Sequence, residues 1–344
     1  MRVFEAFAGM GAWGKALTRL GIPHEVVGFS EIDNYAIKAY CTLHGISPSL
    51  NYGDIRGIEK PPQIDLLCAS PPCQSWSAGG RQDGADDDRG KLFYDTLRLA
   101  HLTQPKYICI ENVRGLTFKK FEADLTYILT YLECLGYNVY HKVLCAADFG
   151  VPQMRQRLFI ICIRKDCDDA LFSFPEPYPL TVKLSDLLEP EVDEKYYEPS
   201  CRRVEWKENP SGGFPKLSCL GYFDGRNSQS SRIYADHTAC TMTALGGGGG
   251  VKTGFYAVAC NRKDRSGKLF PNRRIRRLTP LEVFRVMDFD DEDCFKLREI
   301  GISDARLYRL GGNSIVVNVV YEIFKKLFGK ESQNENNSEN QQNV

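Results

Sequence analysis

Residues 2–14 read RVFEAFAGMGAWG: a short apolar segment, a glycine-rich turn and the start of a helix. Gly9, Gly11 and Gly14 follow the spacing G-x-G-x-x-G, and Glu31 ends the next apolar segment, EVVGFSE. Glycines here let a ligand approach the backbone at a helix N-terminus, and a carboxylate after the next strand can accept both hydroxyls of a ribose. The stretch therefore predicts a nucleotide-type cofactor site, and its pattern fits both NAD and S-adenosylmethionine.

Outward from this turn, short apolar segments alternate with amphipathic ones. We expect buried strands at 64–70, 106–112 and 157–163, besides the two at the N-terminus, and helices at 12–20, 36–43, 92–103 and 121–135. Short apolar strands between helices indicate an α/β fold with a doubly wound, mostly parallel sheet.

The sequence changes character after about residue 175. Residues 200–275 are rich in Gly, Ser and basic residues, which favours a smaller domain that is mostly β or irregular. Helical patterns return at 279–288 and near 313–328. The expected organisation is a catalytic, cofactor-binding domain from 1–185 plus 305–330, a target-recognition domain from 186–304, and a disordered polar tail at 331–344.

Composition sets several limits. The 344 residues carry 44 Lys and Arg against 44 Asp and Glu, which argues against a uniformly basic surface. We expect no membrane span and no metal site, because long apolar runs and paired C-x-x-C motifs are both missing from the sequence. Thirteen cysteines at irregular spacing fit a reducing, cytoplasmic location.

Two chemically active residues follow neighbouring strands. Cys73 comes after IDLLCAS in the rigid sequence SPPCQ, and Glu111 ends YICIEN. Ligands bind at the carboxyl edge of open α/β sheets, so both side chains are expected there. Asp54, in the sequence GDI, could hold an adenine amino group, and together with Phe7 and Trp13 it favours S-adenosylmethionine over NAD. A thiol and a carboxyl beside a methyl donor suit methylation of cytosine at carbon 5, which needs addition to carbon 6 and protonation at nitrogen 3.

The ordered motifs resemble those of DNA cytosine-5 methyltransferases, especially the small bacterial restriction–modification enzymes. The matching segments are spread along nearly the whole chain outside the tail. They are FAGMG (7–11), EID (31–33), GDI (53–55), PPCQ (71–74), ENV (111–113), QMRQR (153–157), RRLTPLEVFRVMDF (276–289) and GNSIVVNVV (312–320). The resemblance implies transfer of a methyl group from S-adenosylmethionine to a flipped-out cytosine in double-stranded DNA, by a monomeric enzyme.

The resemblance also implies roles for single residues. Cys73 would add to carbon 6, Glu111 would hold nitrogen 3 and the exocyclic amine, Arg157 would contact the cytosine carbonyl, and Arg155 would position the Cys73 loop. Residues implied around the cofactor are Phe7, Ala8, Gly9, Gly11, Trp13, Glu31, Ile32, Asp54, Ile55, Pro72, Leu92, Asn313 and Ser314. Residues implied at DNA are Gln74, Ser77, Arg89, Thr241, Thr243, Gly246, Gly247, Arg274 and Arg276.

The charge distribution agrees with a DNA substrate. Residues 202–277 hold 15 Lys and Arg against 5 Asp and Glu, so the positive charge of a neutral chain is concentrated in one segment. Such a segment is a candidate phosphate-binding surface. We also expect burial of Glu111 to favour its protonated form, because a proton at cytosine nitrogen 3 is needed.

Three other functions fit part of the sequence. A transfer RNA cytosine-5 methyltransferase would use the same chemistry on another substrate. A nucleotide-dependent oxidoreductase would account for the glycine turn and Glu31 but gives no role to Glu111, Arg155 and Arg157 together. A catalytically silent DNA-binding relative is hard to reconcile with the presence of both Cys73 and Glu111.

Overall fold

The structure is a computed structural model that describes residues 1–72, 88–168, 172–198, 203–224, 230–244, 254–259 and 273–329. The chain divides into two compact units. The first comprises residues 1–144 and 156–176 and the segment from 317 onward, and the second comprises 145–155 and 177–316.

The first unit is built on a six-stranded sheet in the order β2-β1-β3-β4-β7-β5. Its strands, numbered in chain order, are β1 (Arg2–Ala6), β2 (Glu25–Ser30), β3 (Leu66–Ala69), β4 (Tyr107–Val113), β5 (Tyr137–Cys145) and β7 (Gln156–Arg164). Strands β2, β1, β3 and β4 are parallel, and β7 is antiparallel to β4. The predicted sheet is confirmed; β5 was missed, because its alternating polar residues lack a long apolar run.

Helices cover both faces of this sheet. They are α1 (Ala12–Arg19), α2 (Asn34–His44), α3 (Asp88–Thr103), α4 (Glu122–Cys134) and α8 (Val317–Phe328). Because neighbouring strand residues face opposite ways, Phe4 and Ile108 pack in the core beneath α3 and α4. On the other face Trp13 of α1 packs edge-on against Phe159 and lies beside Phe324 of α8.

Local sequence explains where the first elements begin and end. Gly11 adopts the left-handed conformation, with φ of 75°, immediately before α1, and Gly21 has φ of 66° just beyond its end. Asp33 caps α2 by accepting hydrogen bonds from the Tyr35 and Ala36 amides. The stretch before Asp54 contains the 3₁₀ turn Pro48–Leu50, with Pro48 at its first position.

The second unit has a five-stranded sheet in the order β13-β12-β10-β9-β8 and a small parallel pair, β6 with β11. Their bounds are β6 (Gln153–Met154), β8 (Val204–Trp206), β9 (Cys219–Phe223), β10 (Arg232–Ala235), β11 (Ala239–Cys240), β12 (Phe255–Ala259) and β13 (Arg273–Arg276). Phe223, Ile233 and Phe255 form the core of the larger sheet.

Three helices complete this unit: α5 (Pro280–Val286), α6 (Asp291–Glu299) and α7 (Asp304–Asn313). Helix α5 confirms the pattern seen at 279–288, and a capping box between Thr279 and Glu282 fixes its start. Helices α6 and α7 were missed, since both are short and rich in charged residues.

The bounds of the two units differ from the domain bounds expected from the sequence. Residues 145–155 belong to the second unit because β6 pairs with β11, matching Gln153 with Ala239 and Met154 with Cys240. Residues 305–316 belong there because α7 packs on α5, where Gly311 lies against Val283. The part played by each unit stays a prediction.

Within the part of the chain that the structure describes, no helix is both long and apolar enough to cross a membrane. Nor do three or more His, Cys, Asp or Glu side chains among those residues converge to hold a metal ion.

Candidate active site

The glycine-rich turn connects β1 to α1 in a rarely used backbone conformation. Phe7, Gly9 and Gly11 all have positive φ, of 55°, 57° and 75°. For Phe7 this conformation is strained, and such strain is concentrated at functional sites. A Cβ atom on Gly9 would meet nothing within 4 Å, so the backbone there is open to an approaching molecule. The turn thus combines strain with accessible backbone.

Glu31 is fixed at the end of β2 by the backbone around it. Its Oε2 accepts the Gly9 amide at 3.0 Å, and its Oε1 accepts the amides of Ile32 and Asp33 at 2.8 and 2.9 Å. The carboxylate therefore joins the turn to the second strand. Next to it, Ile32 is 71% exposed, an unusual position for a large apolar side chain unless a planar group covers it.

Asp54 has a strong local partner. Its Oδ1 accepts from the Arg56 amide and from Arg56 Nε, both at 3.0 Å. Hydrogen bonds from the Arg56 side chain hold the pKa of Asp54 below its ordinary value. The carboxylate is thus ionised and oriented, but a ligand amine would share it with a guanidinium. Ile55, the next residue, is buried.

The other residues implied around the cofactor occupy different environments. Ala8 is buried, whereas Pro72 and Leu92 are half-buried, the latter on α3. Trp13 is almost fully buried, and its Nε1 donates to Ser70 Oγ at 3.1 Å. Trp13 is therefore a core residue that supports the end of β3, which corrects its expected place at the cofactor.

Glu111 and Arg157 form a direct ion pair on neighbouring strands. Glu111 pairs with Phe159, and Arg157 with Val113, so the two charged side chains are diagonal neighbours on one face of the sheet. Arg157 Nε lies 2.9 Å from Glu111 Oε1, and Glu111 is only 8% exposed. The expected burial of Glu111 is present, but the guanidinium favours the carboxylate over the protonated form.

Asn112 anchors the segment that leads to the nucleophile loop. Its Nδ2 donates to the Pro71 carbonyl at 3.2 Å, and its Oδ1 accepts the Val113 amide at 2.8 Å. Both bonds are buried, so ENV fixes the chain just before Cys73. Cys73, Gln74 and Ser77 themselves, and the side chain of Arg89, lie outside the described residues.

In the second unit, Arg155 ties together two distant segments. Its Nη1 donates to the Met242 carbonyl at 2.8 Å, and its Nη2 donates to the carbonyls of Ser314 at 2.6 Å and Gly312 at 3.3 Å. The residue was expected to position the Cys73 loop. The contacts described for it join the 242 and 312–314 segments, which no sequence pattern connects, and its expected role at the Cys73 loop stays a prediction.

A second buried side chain, Gln153, supports the same segment and was missed by sequence reasoning. Its Oε1 accepts the Met242 amide at 3.0 Å, and its Nε2 donates to the Val286 carbonyl at 2.6 Å. Thr241 Oγ1 donates to the Met154 carbonyl at 2.7 Å. The only signal available was the position of Gln153 at the head of QMRQR.

The remaining expected residues of this unit are arranged as follows. Asn313 is exposed at the end of α7, and Ser314 is buried. A Cβ atom on Gly312 would lie 2.1 Å from the Thr243 carbonyl carbon, so the two backbones touch. Thr243 Oγ1 is buried without a hydrogen-bond partner among the described residues. Gly246 and Gly247 lie outside them.

Two neighbouring arginines of β13 have opposite environments. Arg276 is 2% exposed and donates to both carboxylate oxygens of Glu282, at 2.6 and 2.7 Å. This buried pair corrects the expectation that Arg276 faces DNA. Arg274 is partly exposed; it pairs with Glu194 at 2.6 Å and lies 3.6 Å from the centre of the Tyr197 ring.

Comparison with known proteins identifies the family of this chain. The family described as C-5 cytosine-specific DNA methylase matches residues 1–329. The chain belongs to this family. The type II methyltransferase M.HhaI of Haemophilus parahaemolyticus is 34% identical to this enzyme over 333 residues, with 94% of this chain and 93% of that protein covered. The orphan methyltransferase M.SPRI of Bacillus phage SPR is 32% identical over 426 residues, with 95% and 97% covered.

Solved structures agree on the fold of this methyltransferase. That of the Entamoeba histolytica methyltransferase EhMeth matches with a TM-score of 0.71 at 19% identity, covering 96% of this chain and 98% of that one. The family resemblance seen in the motifs and the α/β methyltransferase fold are therefore both confirmed. The family is one of DNA methylases, so the transfer RNA alternative is not favoured.

Proposed function

We propose that this DNA cytosine-5 methyltransferase uses S-adenosylmethionine and acts on a cytosine flipped out of double-stranded DNA, through a covalent bond to Cys73. The observation that carries the proposal is the largely buried Glu111–Arg157 pair near the carboxyl end of β4, in the unit that also holds the strained glycine-rich turn. Glu111 can give or take a proton, and the guanidinium of Arg157 presents several N–H donors. The cytosine ring offers nitrogen 3 and its amine to Glu111 and its carbonyl oxygen to Arg157.

The residues of the turn fit S-adenosylmethionine. Glu31 is held in place by three backbone amides and can accept two ribose hydroxyls, while exposed Ile32 offers an apolar surface for the adenine. The open space at Gly9 admits a ligand against the backbone. Phe7, Ala8, Ile55, Pro72, Leu92, Asn313 and Ser314 are proposed as further neighbours. When bound, the cofactor supplies an electrophilic methyl group.

The chemistry of the chain itself concerns carbon 5 of cytosine. The thiolate of Cys73 adds to carbon 6, and Glu111, which takes up a proton as the cytosine displaces Arg157, delivers that proton to nitrogen 3, so that the electron pair of the 5,6 double bond becomes available at carbon 5. After methylation, loss of the carbon 5 proton and departure of the thiolate restore the double bond. The proton on nitrogen 3 returns to Glu111 as the thiolate leaves, and a base takes the proton from carbon 5, so that only the methyl group stays on the ring.

Arg157 has a double part in this proposal. In the structure it is the partner of Glu111, and it stabilises the carboxylate in the absence of substrate. A cytosine in the pocket offers its carbonyl oxygen to Arg157 and its nitrogen 3 and amine to Glu111. When the base binds, Glu111 and Arg157 each replace their contact with the other by a contact with the cytosine. Neither charge is then left without a partner.

The second unit is proposed to bind the DNA. Thr241 and Thr243 lie on the segment fixed by Gln153 and Arg155, and Arg274 of β13 is partly exposed. Gln74, Ser77, Arg89, Gly246 and Gly247 are proposed contacts from the sequence resemblance alone. The excess of basic residues in 202–277 supports phosphate binding, which makes affinity fall with salt. A monomer acting in the cytoplasm completes the proposal.

The test is transfer of a radiolabelled methyl group from S-adenosylmethionine. Wild-type protein is expected to label duplex DNA and leave transfer RNA unlabelled, and Cys73→Ser is expected to label neither. A duplex containing 5-fluorocytosine should form a covalent complex with wild type only, because fluorine at carbon 5 blocks release of the thiolate. Labelling of transfer RNA alone would assign the alternative substrate.

A further inference from the structure

A buried acid lies directly behind the cofactor turn. Glu5 of β1 has no exposed surface, and its Oε1 accepts the Gly14 amide at 3.2 Å and the Tyr40 hydroxyl at 2.9 Å. Its Oε2 has no hydrogen-bond partner among the described residues. A carboxyl group with half of its bonding capacity unused is an expensive core residue, because a leucine of similar size would avoid that cost.

Helix α2 supplies two more polar groups to the same place. Tyr40 and His44 are one helical turn apart, with ring centres 4.8 Å from each other. His44 Nε2 lies 2.9 Å from the Met10 carbonyl. A carbonyl oxygen only accepts, so this nitrogen carries a proton. Glu5 therefore holds the third glycine of the turn, while His44 holds the residue between the first two.

The side chains behind the turn explain why two of the three positions in the G-x-G-x-x-G motif are glycine. A Cβ atom on Gly14 would lie 2.8 Å from Glu5 Oε1, and one on Gly11 would lie 2.2 Å from His44 Nε2. Gly9, in contrast, has free space around it and faces the proposed ligand. The G-x-G-x-x-G spacing in this chain thus serves polar contacts behind the turn as well as the cofactor.

We propose that Glu5, with Tyr40 and His44, positions the turn at residues 9–14 in the conformation that binds the cofactor. The inference rests on the proposed cofactor site. The strained backbone at Phe7 persists only if the surroundings over-determine it, and these three side chains supply that constraint from behind the turn. Glu31 supplies a further constraint on the turn by accepting a hydrogen bond from the Gly9 amide.

The expected size of the effect depends on how often the turn adopts its binding-competent conformation. If the turn loses its acceptor at Gly14, the binding-competent conformation becomes a minor one, and the apparent Kd rises by the inverse of its fraction. A competent fraction of about one tenth raises Kd about tenfold. Once cofactor is saturating, the competent form is repopulated, so kcat changes little. A positioning role thus predicts an effect on cofactor affinity and not on turnover.

The experiment is calorimetric titration with S-adenosylhomocysteine, together with kcat at saturating S-adenosylmethionine. Glu5→Leu should bind about tenfold more weakly, Glu5→Gln should recover to within about threefold of wild type because its amide oxygen still accepts, and kcat should stay within about twofold for both. Tyr40→Phe, which is the smaller change, should weaken binding about threefold.

Tyr137→Phe is the matched control, since it removes another buried hydroxyl, one that donates to the Pro105 carbonyl away from the turn. It should leave the Kd unchanged. The inference is overturned if folded Glu5→Leu binds within twofold of wild type or, should that variant not fold, if Tyr40→Phe binds as wild type does. Glu31→Ala separates the two proposals: if it leaves binding intact, the proposed cofactor site itself is wrong.

Discussion

Arg157 Nε and Glu111 Oε1 lie 2.9 Å apart, on antiparallel strands whose pairing makes the two residues diagonal neighbours. The pair is largely buried, so each charge depends on the other until a substrate arrives. Both of the protein groups proposed to hold the cytosine ring are thereby kept ordered beforehand, which lowers the cost of forming the reactive complex.

Replacing the acid tests this arrangement first. Glu111→Gln keeps the shape of the side chain but cannot deliver a proton, so kcat should fall about 10²- to 10⁴-fold. Glu133→Gln, on the exposed side of α4, is the matched control and should retain full activity. Single-turnover methylation measures both. Turnover of Glu111→Gln within a few-fold of wild type would remove proton transfer at Glu111 from the mechanism.

The contacts of Arg155 predict a loss of stability. Arg155→Met leaves the carbonyls of Met242 and Ser314 buried without their donor, which should lower the free energy of unfolding by about 3 kcal/mol. Urea denaturation measures this, and Arg155→Lys, with a single donor group, should lie between the variant and wild type. A loss below about 1 kcal/mol would mean that other groups satisfy these carbonyls.

The two arginines of β13 should behave oppositely when replaced. Arg276→Met leaves the buried carboxylate of Glu282 without its partner and should lower the free energy of unfolding by about 3–5 kcal/mol. Arg274→Met breaks a partly exposed pair with Glu194 and should cost less than about 1 kcal/mol, while weakening DNA binding and its salt dependence. Equal losses of stability would contradict the assignment of one to the core and the other to the surface.

Glu5 predicts a pH-dependent stability. Burial raises the pKa of its carboxyl to about 7, against hydrogen bonds from Tyr40 and Gly14 that favour the ionised form. Burial also raises the pKa of the neighbouring Tyr40 and Cys68 well above their ordinary values, and His44 approaches from α2. The folded protein therefore holds a proton on Glu5 that the unfolded chain releases above its ordinary pKa of 4.5.

This contribution to stability is complete below about pH 4.5 and is lost as the pH rises through 7. Between pH 6 and pH 8 wild type should lose about 1 kcal/mol relative to Glu5→Gln, whose residue 5 does not titrate. Urea unfolding at both pH values gives the difference. A constant gap between the two proteins would show that Glu5 does not change its ionisation in this range.

The sequence was a good guide where the signal is local. The glycine turn, Glu31 and the strand ends at Glu111 and Pro72 depend on patterns within about thirty residues, and each could be read directly. The partners of Arg155 could not, because they lie 87 and 159 residues away and depend on how β6 meets β11. The register of β4 with β7, which makes Glu111 and Arg157 diagonal neighbours, is likewise not indicated by any local sequence pattern.

Charge counting misled at one position for a physical reason. Arg276 belongs to the same basic run as Arg274 and contributes equally to the net charge, yet it lies in the core with Glu282. Only the pairing with an acid six residues later, on the first turn of α5, separates a structural arginine from a surface one. Glu5 was overlooked similarly, because one acid within an apolar strand gives no indication of what it faces.

The most direct test of the central claim is chemical analysis of DNA. Genomic DNA from cells that lack cytosine methylation of their own, but express this protein, is digested to nucleosides and examined by mass spectrometry. We predict 5-methyl-2′-deoxycytidine with wild-type protein and none with Cys73→Ser. If the modified nucleoside is missing in both strains, or equally abundant in both, the account of a Cys73-dependent DNA cytosine-5 methyltransferase is wrong.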